Sequence, residues 1–260
     1  MLNLVIDIVR DAAKLAVGAR FTTENKGDVA NVVTSADIAV QKFLKEKLQA
    51  LIPHCGFWGE ESDARELDGE YLWIVDPIDG TMNFTRALQN SAISVALQRK
   101  GITILGVVYN FFTDDLYCAE LGKGAFNNGT PIHVSQRPFA EGLLCTAFSA
   151  YKKEYSQICF DIAAELFPKC NDVRRLGSCA MELCYIASGK CDFYFELGIS
   201  SWDSAAGELI LHEAGGSTYR FFEEKFLQKP LPLIASNNVK NLEIIREVVT
   251  KYLKKYNYEA

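Results

Sequence analysis

The chain has 260 residues, of which 49% are hydrophobic and 23% are charged, with 18 Gly and 7 Pro. This composition is typical of a globular protein with a large buried core, and it excludes a disordered, collagen-like or coiled-coil chain. Lys and Arg number 27 against 33 Asp and Glu, which gives a net charge of −6, and no run of five basic residues occurs. The charge therefore predicts no nucleic-acid partner.

The first predicted element is an amphipathic helix over residues 1–19. Charged residues interrupt its apolar stretch at helical spacing, which argues against a signal peptide. A second helix is capped by Thr34 or Ser35 and is stopped by Pro53. No apolar stretch approaches the roughly 18 residues of a membrane span, so we expect a soluble, cytoplasmic protein without membrane contact.

From Tyr71 onwards the apolar pattern changes to that of strands, and Asn128-Gly129 predicts a tight turn. Four β-rich segments separated by turn residues predict an antiparallel meander, over residues 71–75, 91–98, 103–109 and 116–120. Helix and strand alternate in the second half, with helices predicted over 154–167, 180–188, 204–214 and 242–254 and strands over 192–196 and 233–235.

This order of elements predicts an α/β (α+β) fold in which helical layers separate two packed sheets. Residues 136–138 form the only plausible boundary between two halves of the chain. They are too few, and too mixed in composition, to link independent domains. We therefore expect one domain over residues 1–260, with pseudo-halves of about 1–136 and 139–260.

The eight cysteines and three histidines limit the chemistry. The cysteines form no CxxC pair and no export signal is seen, so we interpret them as reduced, mostly buried thiols, with four disulfides as the alternative. The histidines are isolated, so neither a zinc site nor a Ser-His-Asp triad has its parts. Any bound metal must therefore be held by carboxylates.

An acidic segment follows the first predicted strand of the meander. Asp76 and Asp79 emerge at the end of this strand, where α/β proteins build their sites. Pro77 fixes the local backbone, and Gly80 allows a conformation or a close approach that a Cβ would prevent. An acidic turn with Asx hydrogen bonds is the alternative interpretation.

Two further acidic segments favour a site. Glu60 and Glu61 lie about fifteen residues before the first segment, and Asp203 stands at the start of a predicted helix. Alone, the glutamates also fit a solvated pair, and Asp203 also fits a helix N-cap. The combination of the three segments is what distinguishes a site from these alternatives.

In combination, the three segments resemble the inositol monophosphatase family of magnesium-dependent, lithium-sensitive phosphatases, at residues 59–62 (GEES), 73–84 (WIVDPIDGTMNF) and 202–207 (WDSAAG). Further family segments are matched in order at residues 34–37, 122–126 and 213–216. The resemblance thus covers nearly the whole chain. It implies a layered αβαβα sugar-phosphatase fold, shared with fructose-1,6-bisphosphatases, and a homodimer.

The resemblance also implies the metal ligands. Glu60, Asp76 and the carbonyl oxygen of Ile78 correspond to ligands of a first Mg²⁺. Asp76, Asp79 and Asp203 correspond to ligands of a second, and Glu60 also holds a third ion through water, which gives two to three ions. Mg²⁺ prefers hard oxygen ligands, and two such ions about 3.5–4 Å apart can activate a water and stabilise a leaving oxygen.

The same resemblance implies three catalytic residues, Glu60, Thr81 and Asp37. Thr81 corresponds to the hydroxyl that orients the attacking water, and Asp37 is its hydrogen-bond partner. Asp37 can also act as a helix-capping carboxylate. Lys26 aligns by its spacing to Asp37 with a lysine that is sometimes near the metals, and a solvated surface lysine is the alternative.

Substrate contacts are implied on both sides of the acidic segments. The N–H groups of Gly80 and Thr81 are expected to meet the phosphate at a helix N-terminus. Glu196 matches a glutamate that binds the hydroxyls of an inositol ring. Gly177, Ser178 and Cys179 match a second substrate loop of the family. The last expected contact is Asp203, which is also one of the metal carboxylates.

Departures from the family pattern lie near the mouth of the site, at Met82 and residues 88–90, so the preferred alcohol can differ from myo-inositol. The sequence predicts a Mg²⁺-dependent phosphatase that hydrolyses inositol monophosphate or a related sugar or nucleotide phosphate. The alternatives are fructose 1,6-bisphosphate, a nucleotide 3′-phosphate, NADP or histidinol phosphate as substrate. A regulatory binding role is a further alternative, because some relatives of this family act in transcription complexes.

Overall fold

The computed structural model describes residues 1–17, 21–25, 32–62, 69–149, 152–222 and 230–258. Within these ranges there are seven α-helices: α1 (Leu2–Val17), α2 (Ser35–Leu51), α3 (Thr81–Thr85), α4 (Ser156–Leu166), α5 (Cys179–Ala187), α6 (Ser201–Glu213) and α7 (Val239–Lys255). The strands in the same ranges are β1 (Thr23–Asn25), β2 (Val32–Thr34), β3 (Gly56–Gly59), β4 (Tyr71–Asp79), β5 (Ala92–Arg99), β6 (Ile102–Asn110), β7 (Asp115–Glu120), β8 (Ala125–Asn127), β9 (Thr130–Ile132), β10 (Leu143–Thr146), β11 (Asp172–Arg174), β12 (Phe193–Ile199), β13 (Ser217–Arg220) and β14 (Leu231–Ser236).

The first two predicted helices are confirmed. Val5 and Val9 of α1 are fully buried, as the apolar stripe predicts, whereas residues 18 and 19 lie outside the described residues. α2 begins after Thr34, whose side chain accepts the N–H of Asp37 while the Asp37 carboxylate accepts the N–H of Thr34. This reciprocal capping box satisfies two backbone donors that the first turn would otherwise leave without partners.

The strands form two large sheets and a two-stranded ribbon, β1-β2. The seven-stranded sheet runs β3-β4-β5-β6-β7-β8-β9, and from β4 onwards all its pairs are antiparallel, so the predicted meander is confirmed. The five-stranded sheet runs β11-β10-β12-β14-β13 and mixes parallel with antiparallel pairs. The chain changes from one sheet to the other between Ile132 and Leu143. That residues 1–260 form one domain stays a prediction.

Both large sheets are covered by helices on both faces. Along β4, Trp73 and Val75 pack with α1 and α2, whereas Leu72 and Ile74 face the core that α5 and α6 form. α5 and α6 pack on strands of both sheets, and α4 and α7 cover the outer face of the five-stranded sheet. The layer order is therefore αβαβα, as the resemblance implies, and it explains why β4 is apolar on both sides.

Several predicted boundaries are wrong. α6 begins at Ser201, three residues before the predicted start, because Ser200 and not Asp203 is its N-cap. β4 continues to Asp79, so the acidic segment belongs to the strand and does not follow it. The short strands β1, β2, β3, β8, β9, β10, β11 and β13 were not predicted, although the turn between β8 and β9 was.

Within the ranges listed above, no helix is both long and apolar enough to cross a membrane. All eight cysteines carry free thiols, and seven of them are buried. Burial raises the pKa of the Cys55 thiol to about 11, which disfavours the reactive thiolate at neutral pH.

Candidate functional site

An irregularity at the end of β4 brings two carboxylates to the same side of the sheet. Asp76 lies opposite Ser94 and Asp79 lies opposite Ala92, so β4 advances three residues while β5 advances two. In a regular strand, residues three apart point to opposite faces, and the extra residue of a bulge cancels this difference. Pro77 fits within the irregularity because it has no N–H to contribute to the strand ladder.

The third carboxylate comes from the first turn of α6. The N–H of Ser200 donates to Asp203 Oδ2 at 2.8 Å, and this capping box holds the carboxylate at the start of the helix. One oxygen each of Asp76, Asp79 and Asp203 lies within 4.8 Å of the other two. The structure thus brings together the three carboxylates that the sequence predicts for one metal.

Glu60 lies beside this trio but is not part of the group whose oxygens lie within 4.8 Å of one another. Its N–H donates to the carbonyl oxygen of Val75 at 3.1 Å, which holds the turn after β3 against β4. Its carboxylate is the charged group that raises the pKa of Asp76 most, after burial, and it also raises the pKa of Asp203. Glu60 is therefore close enough to share the electrostatics of the cluster.

The electrostatics of the cluster favour a bound cation. Burial first, and then the carboxylates around it, raise the pKa of Asp76 well above its usual value, and the same causes raise the pKa of Asp203. Burial raises the pKa of Asp79 to about 6, although hydrogen bonds from Ser178 and Ala180 oppose the shift. A set of hard oxygen donors with excess negative charge fits Mg²⁺.

Thr81 and Asp37 form a hydrogen-bonded pair next to the cluster. The Thr81 hydroxyl lies 3.3 Å from Asp37 Oδ1 and 3.1 Å from the carbonyl oxygen of Ile78, the two acceptors available to its proton. Asp37 Oδ2 accepts the N–H of Thr34 at 2.8 Å and its hydroxyl at 2.5 Å. Asp37 therefore caps α2 and contacts Thr81 at the same time, so the two interpretations of Asp37 are compatible.

The loop before α5 rests on the acidic cluster. The Ser178 hydroxyl donates to Asp79 Oδ2 at 2.6 Å, and the N–H of Ala180 donates to the same oxygen at 2.7 Å. Gly80 has φ = 83°, and a Cβ there would lie 2.9 Å from the carbonyl oxygen of Gly177. Only glycine allows these two loops to approach so closely. The backbone of Cys179 lies in the same contact, while its thiol is buried.

A cavity of about 300 Å³ adjoins the acidic cluster. Six of the seven predicted substrate contacts line it, together with the predicted metal ligand Asp79: Gly80, Gly177, Ser178, Cys179, Glu196 and Asp203. Glu196 Oε2 accepts the hydroxyl of Tyr194 at 2.5 Å. Burial raises the pKa of Glu196 to about 7, although Tyr194 and Arg175 oppose the shift. Thr81 and Asp37 are not part of the cavity lining, and Lys26 lies outside the described residues.

Sequence reasoning missed two charged residues of the cavity lining, Arg175 and Glu182. Glu182 is buried and accepts the N–H of Leu176 at 2.9 Å and that of Gly177 at 3.3 Å, so it holds the loop before α5 in place. An acidic residue in the first turn of a predicted helix is the signal that points to Glu182. No motif points to Arg175.

A partly buried ion pair behind α6 was also missed. Arg220 on β13 donates to Glu208 of α6 and, at 2.6 Å, to the hydroxyl of Ser204. Ser204 directly follows Asp203, so this pair braces the turn that carries the third carboxylate. Twelve residues separate its two members, and no local sequence signal links them.

The family model for the inositol monophosphatase family matches residues 2–254. The chain is 35% identical to a protein named Nus factor SuhB from Escherichia coli over 223 residues, which cover 83% of each chain. It is also 35% identical to an inositol-1-monophosphatase from Rhizobium meliloti over 231 residues, which cover 83% of this chain and 84% of that protein. Among solved structures, an IMPase from Thermotoga maritima matches with a TM-score of 0.83 and 29% identity, covering 96% of this chain and 98% of that one. On the family match and the two relatives, the chain belongs to the inositol monophosphatase family.

Proposed function

We propose that this protein is a Mg²⁺-dependent phosphatase that hydrolyses inositol monophosphate or a related sugar or nucleotide phosphate. The observation that carries the proposal is the carboxylate trio of Asp76, Asp79 and Asp203, of which Asp79 and Asp203 line a cavity large enough for a small phosphate ester. Membership of the family and the relative named inositol-1-monophosphatase support it.

We assign Glu60, Asp76 and the carbonyl oxygen of Ile78 to a first Mg²⁺, and Asp76, Asp79 and Asp203 to a second. A third ion would be held by Glu60 through water. Bound Mg²⁺ supplies a Lewis acid for phosphoryl oxygens and lowers the pKa of a coordinated water. The donor set supports this assignment because it consists only of oxygens and carries several negative charges.

The remaining catalytic roles go to Thr81 and Asp37. When the Thr81 hydroxyl donates to Asp37, its oxygen lone pairs are left to accept a hydrogen bond from the attacking water and to orient it. The N–H groups of Gly80 and Cys179 are directed at the Asp79 carboxylate, next to the position that we assign to the substrate phosphate. We assign the contacts with that phosphate to Gly80, Thr81 and the loop of Gly177, Ser178 and Cys179.

The proposal is tested by phosphate release from a panel of esters, with and without Mg²⁺. The panel contains inositol 1-phosphate, fructose 1,6-bisphosphate, a nucleotide 3′-phosphate, NADP, histidinol phosphate and an aryl phosphate. We expect release with Mg²⁺ that stops when the metal is chelated. Failure to release phosphate from every ester at saturating Mg²⁺ would refute the proposal.

Replacing Glu196 by Gln should lower kcat/KM for inositol 1-phosphate by about 10- to 150-fold, because a charged hydrogen bond to a substrate hydroxyl contributes about 1.5–3 kcal/mol. An aryl phosphate has no such hydroxyl and should be hydrolysed almost as fast by the variant. Gln keeps an oxygen that can accept the Tyr194 hydroxyl, so the strand end should stay in place. Equal losses on both substrates would instead assign Glu196 to structure or to general electrostatics.

Lithium should inhibit phosphate release, as the family resemblance implies. A monovalent ion at the position of Asp76, Asp79 and Asp203 supplies one charge fewer, so the leaving oxygen is stabilised less. The measurement is the rate of phosphate release against LiCl concentration at fixed Mg²⁺, with NaCl at the same ionic strength as the control. Rates that are equal in the two salts would place the protein in an atypical branch of the family.

A regulatory role is the second candidate, favoured by the relatives named Nus factor SuhB. Those names give no support to the prediction of no nucleic-acid partner. Titration of a fluorescent RNA with the purified protein separates the two roles. An enzyme without a regulatory role should leave the fluorescence anisotropy of the RNA unchanged. The homodimer that the resemblance implies also stays a prediction.

A further inference from the structure

Gln41 is a buried polar residue of α2, on the same face of the helix as Asp37. It lies one helical turn after Asp37, which contacts Thr81, and it is only 7% exposed. Burying a side-chain amide costs free energy unless hydrogen bonds satisfy it, so the partners of Gln41 indicate what the residue does. Those partners lie in the turn that follows β3 and carries Glu60.

Both ends of the amide contact this turn. Gln41 Oε1 accepts the N–H of Glu61 at 2.9 Å, and Gln41 Nε2 donates to the Ser62 hydroxyl at 3.1 Å. A Cβ at Gly59 would overlap Oε1 of Gln41, so the amide also lies directly against the backbone of Gly59. Gln41 therefore contacts the chain immediately before and immediately after Glu60.

These contacts fix the direction in which the Glu60 side chain leaves the backbone. The two peptide planes that flank a Cα are rigid, so holding both of them sets φ and ψ and with them the position of the Cβ. The plane before Glu60 is held by the bond from its N–H to the carbonyl oxygen of Val75, at 3.1 Å. The plane after it is held by Gln41 through the N–H of Glu61. If Gln41 releases the second plane, φ and ψ of Glu60 can vary and its carboxylate loses its fixed position.

We propose that Gln41 positions Glu60 for the first Mg²⁺ and thereby sets the affinity of the protein for that ion. The inference rests on the proposed phosphatase function, in which Glu60, Asp76 and the carbonyl oxygen of Ile78 bind this Mg²⁺. Replacing a residue that orients a metal ligand typically weakens metal binding by about 10- to 100-fold. α2 then supports two parts of the site, Thr81 through Asp37 and Glu60 through Gln41.

The experiment measures Mg²⁺ binding by isothermal titration calorimetry and, separately, phosphate release against Mg²⁺ concentration. Gln41→Met removes both hydrogen bonds with little change in side-chain length. We expect it to weaken the Mg²⁺ binding event that Glu60→Gln also weakens, by about 10- to 100-fold. The Mg²⁺ concentration for half-maximal release should rise by a similar factor, whereas kcat at saturating Mg²⁺ should fall by less than about threefold.

Two further variants separate a positioning role from a purely structural one. Gln41→Glu should bind Mg²⁺ at least as tightly as the wild-type protein, because a carboxylate oxygen can accept the same N–H and its added charge attracts the cation. In a Glu60→Gln background, Gln41→Met should weaken Mg²⁺ binding no further, because the ligand on which it acts is already impaired. A loss of affinity in Gln41→Glu, or a full additional loss in the double variant, would overturn the proposal.

Gln49→Met is the matched control. Gln49 is a half-buried glutamine about two turns further along α2, and its amide donates to the carbonyl oxygen of Cys55 at 3.3 Å. This variant should leave Mg²⁺ binding unchanged, and an equal loss in both variants would overturn the role of Gln41. Unchanged Mg²⁺ affinity in Gln41→Met would do the same and leave the phosphatase standing. A wild-type protein that neither binds Mg²⁺ nor releases phosphate from any ester would overturn both.

Discussion

Replacing Asp203 or Asp79 by Asn should lower kcat by about 100-fold or more while the fold is retained. Each substitution removes one negative charge from the carboxylate trio with little change in volume, and a loss of about 3 kcal/mol of transition-state stabilisation corresponds to this factor. An amide oxygen can still accept the bonds that Ser200 donates to Asp203 and that Ser178 and Ala180 donate to Asp79. The measurement is phosphate release at saturating Mg²⁺.

The same variants should be more stable than the wild-type protein when metal is absent. Burial and like charge raise the pKa values of Asp76 and Asp203, so the ionised cluster opposes folding until a cation neutralises it. Thermal unfolding in a chelator should therefore shift upwards, by about 2–4 °C for each kcal/mol gained. Mg²⁺ should stabilise the wild-type protein and have little effect on Asp203→Asn.

Asp161→Asn is the control for both measurements. It also removes one carboxylate charge, but Asp161 lies on α4, on the outer helical layer, where it contacts Lys255 and Tyr256. This variant should keep both its turnover and its response to Mg²⁺. An Asp203→Asn protein with near wild-type turnover would show that the metal assignment is wrong.

The elements that could be predicted are long enough for their apolar residues to repeat several times at one helical or strand spacing. α2 has buried Val40, Leu44 and Leu48 at helical spacing together with a capping signal, and the meander strands are six to nine residues long. The missed strands are three or four residues long, too short to show a period. β10, for example, is defined by its pairing with β11 and β12, which are more than twenty residues away along the chain.

The site shows the same division between local and long-range information. The carboxylates lie in compact motifs, so their positions could be read from the sequence, and Ser200 and Asp203 even have the spacing of a capping box that would have given the true start of α6. The bulge in β4 was not predictable, because it depends on the register with β5. Arg175 and Arg220, the ion-pair partner of Glu208, reach their positions only through tertiary packing.

Replacing Arg220 by Met should lower the free energy of unfolding by about 3–5 kcal/mol, because it leaves the mostly buried Glu208 carboxylate without its partner. The two side chains are only 20% and 17% exposed. Burial raises the pKa of Glu208, but the charge and hydrogen bond of Arg220 outweigh this effect and hold it below its usual value. The expected fall in Tm is about 6–20 °C for a chain of this length.

The double variant Arg220→Met/Glu208→Leu separates two quantities: the net contribution of the ion pair to the free energy of unfolding, and the loss caused by leaving one partner unpaired. Replacing a buried ion pair by apolar side chains of similar size is often neutral or stabilising, so the double variant should recover most of the stability that Arg220→Met loses. Lys14→Met, which breaks an exposed pair with Asp11, should leave the unfolding curve unchanged. If Arg220→Met is as stable as the double variant, the unpaired Glu208 carboxylate is not the cause of the loss of stability.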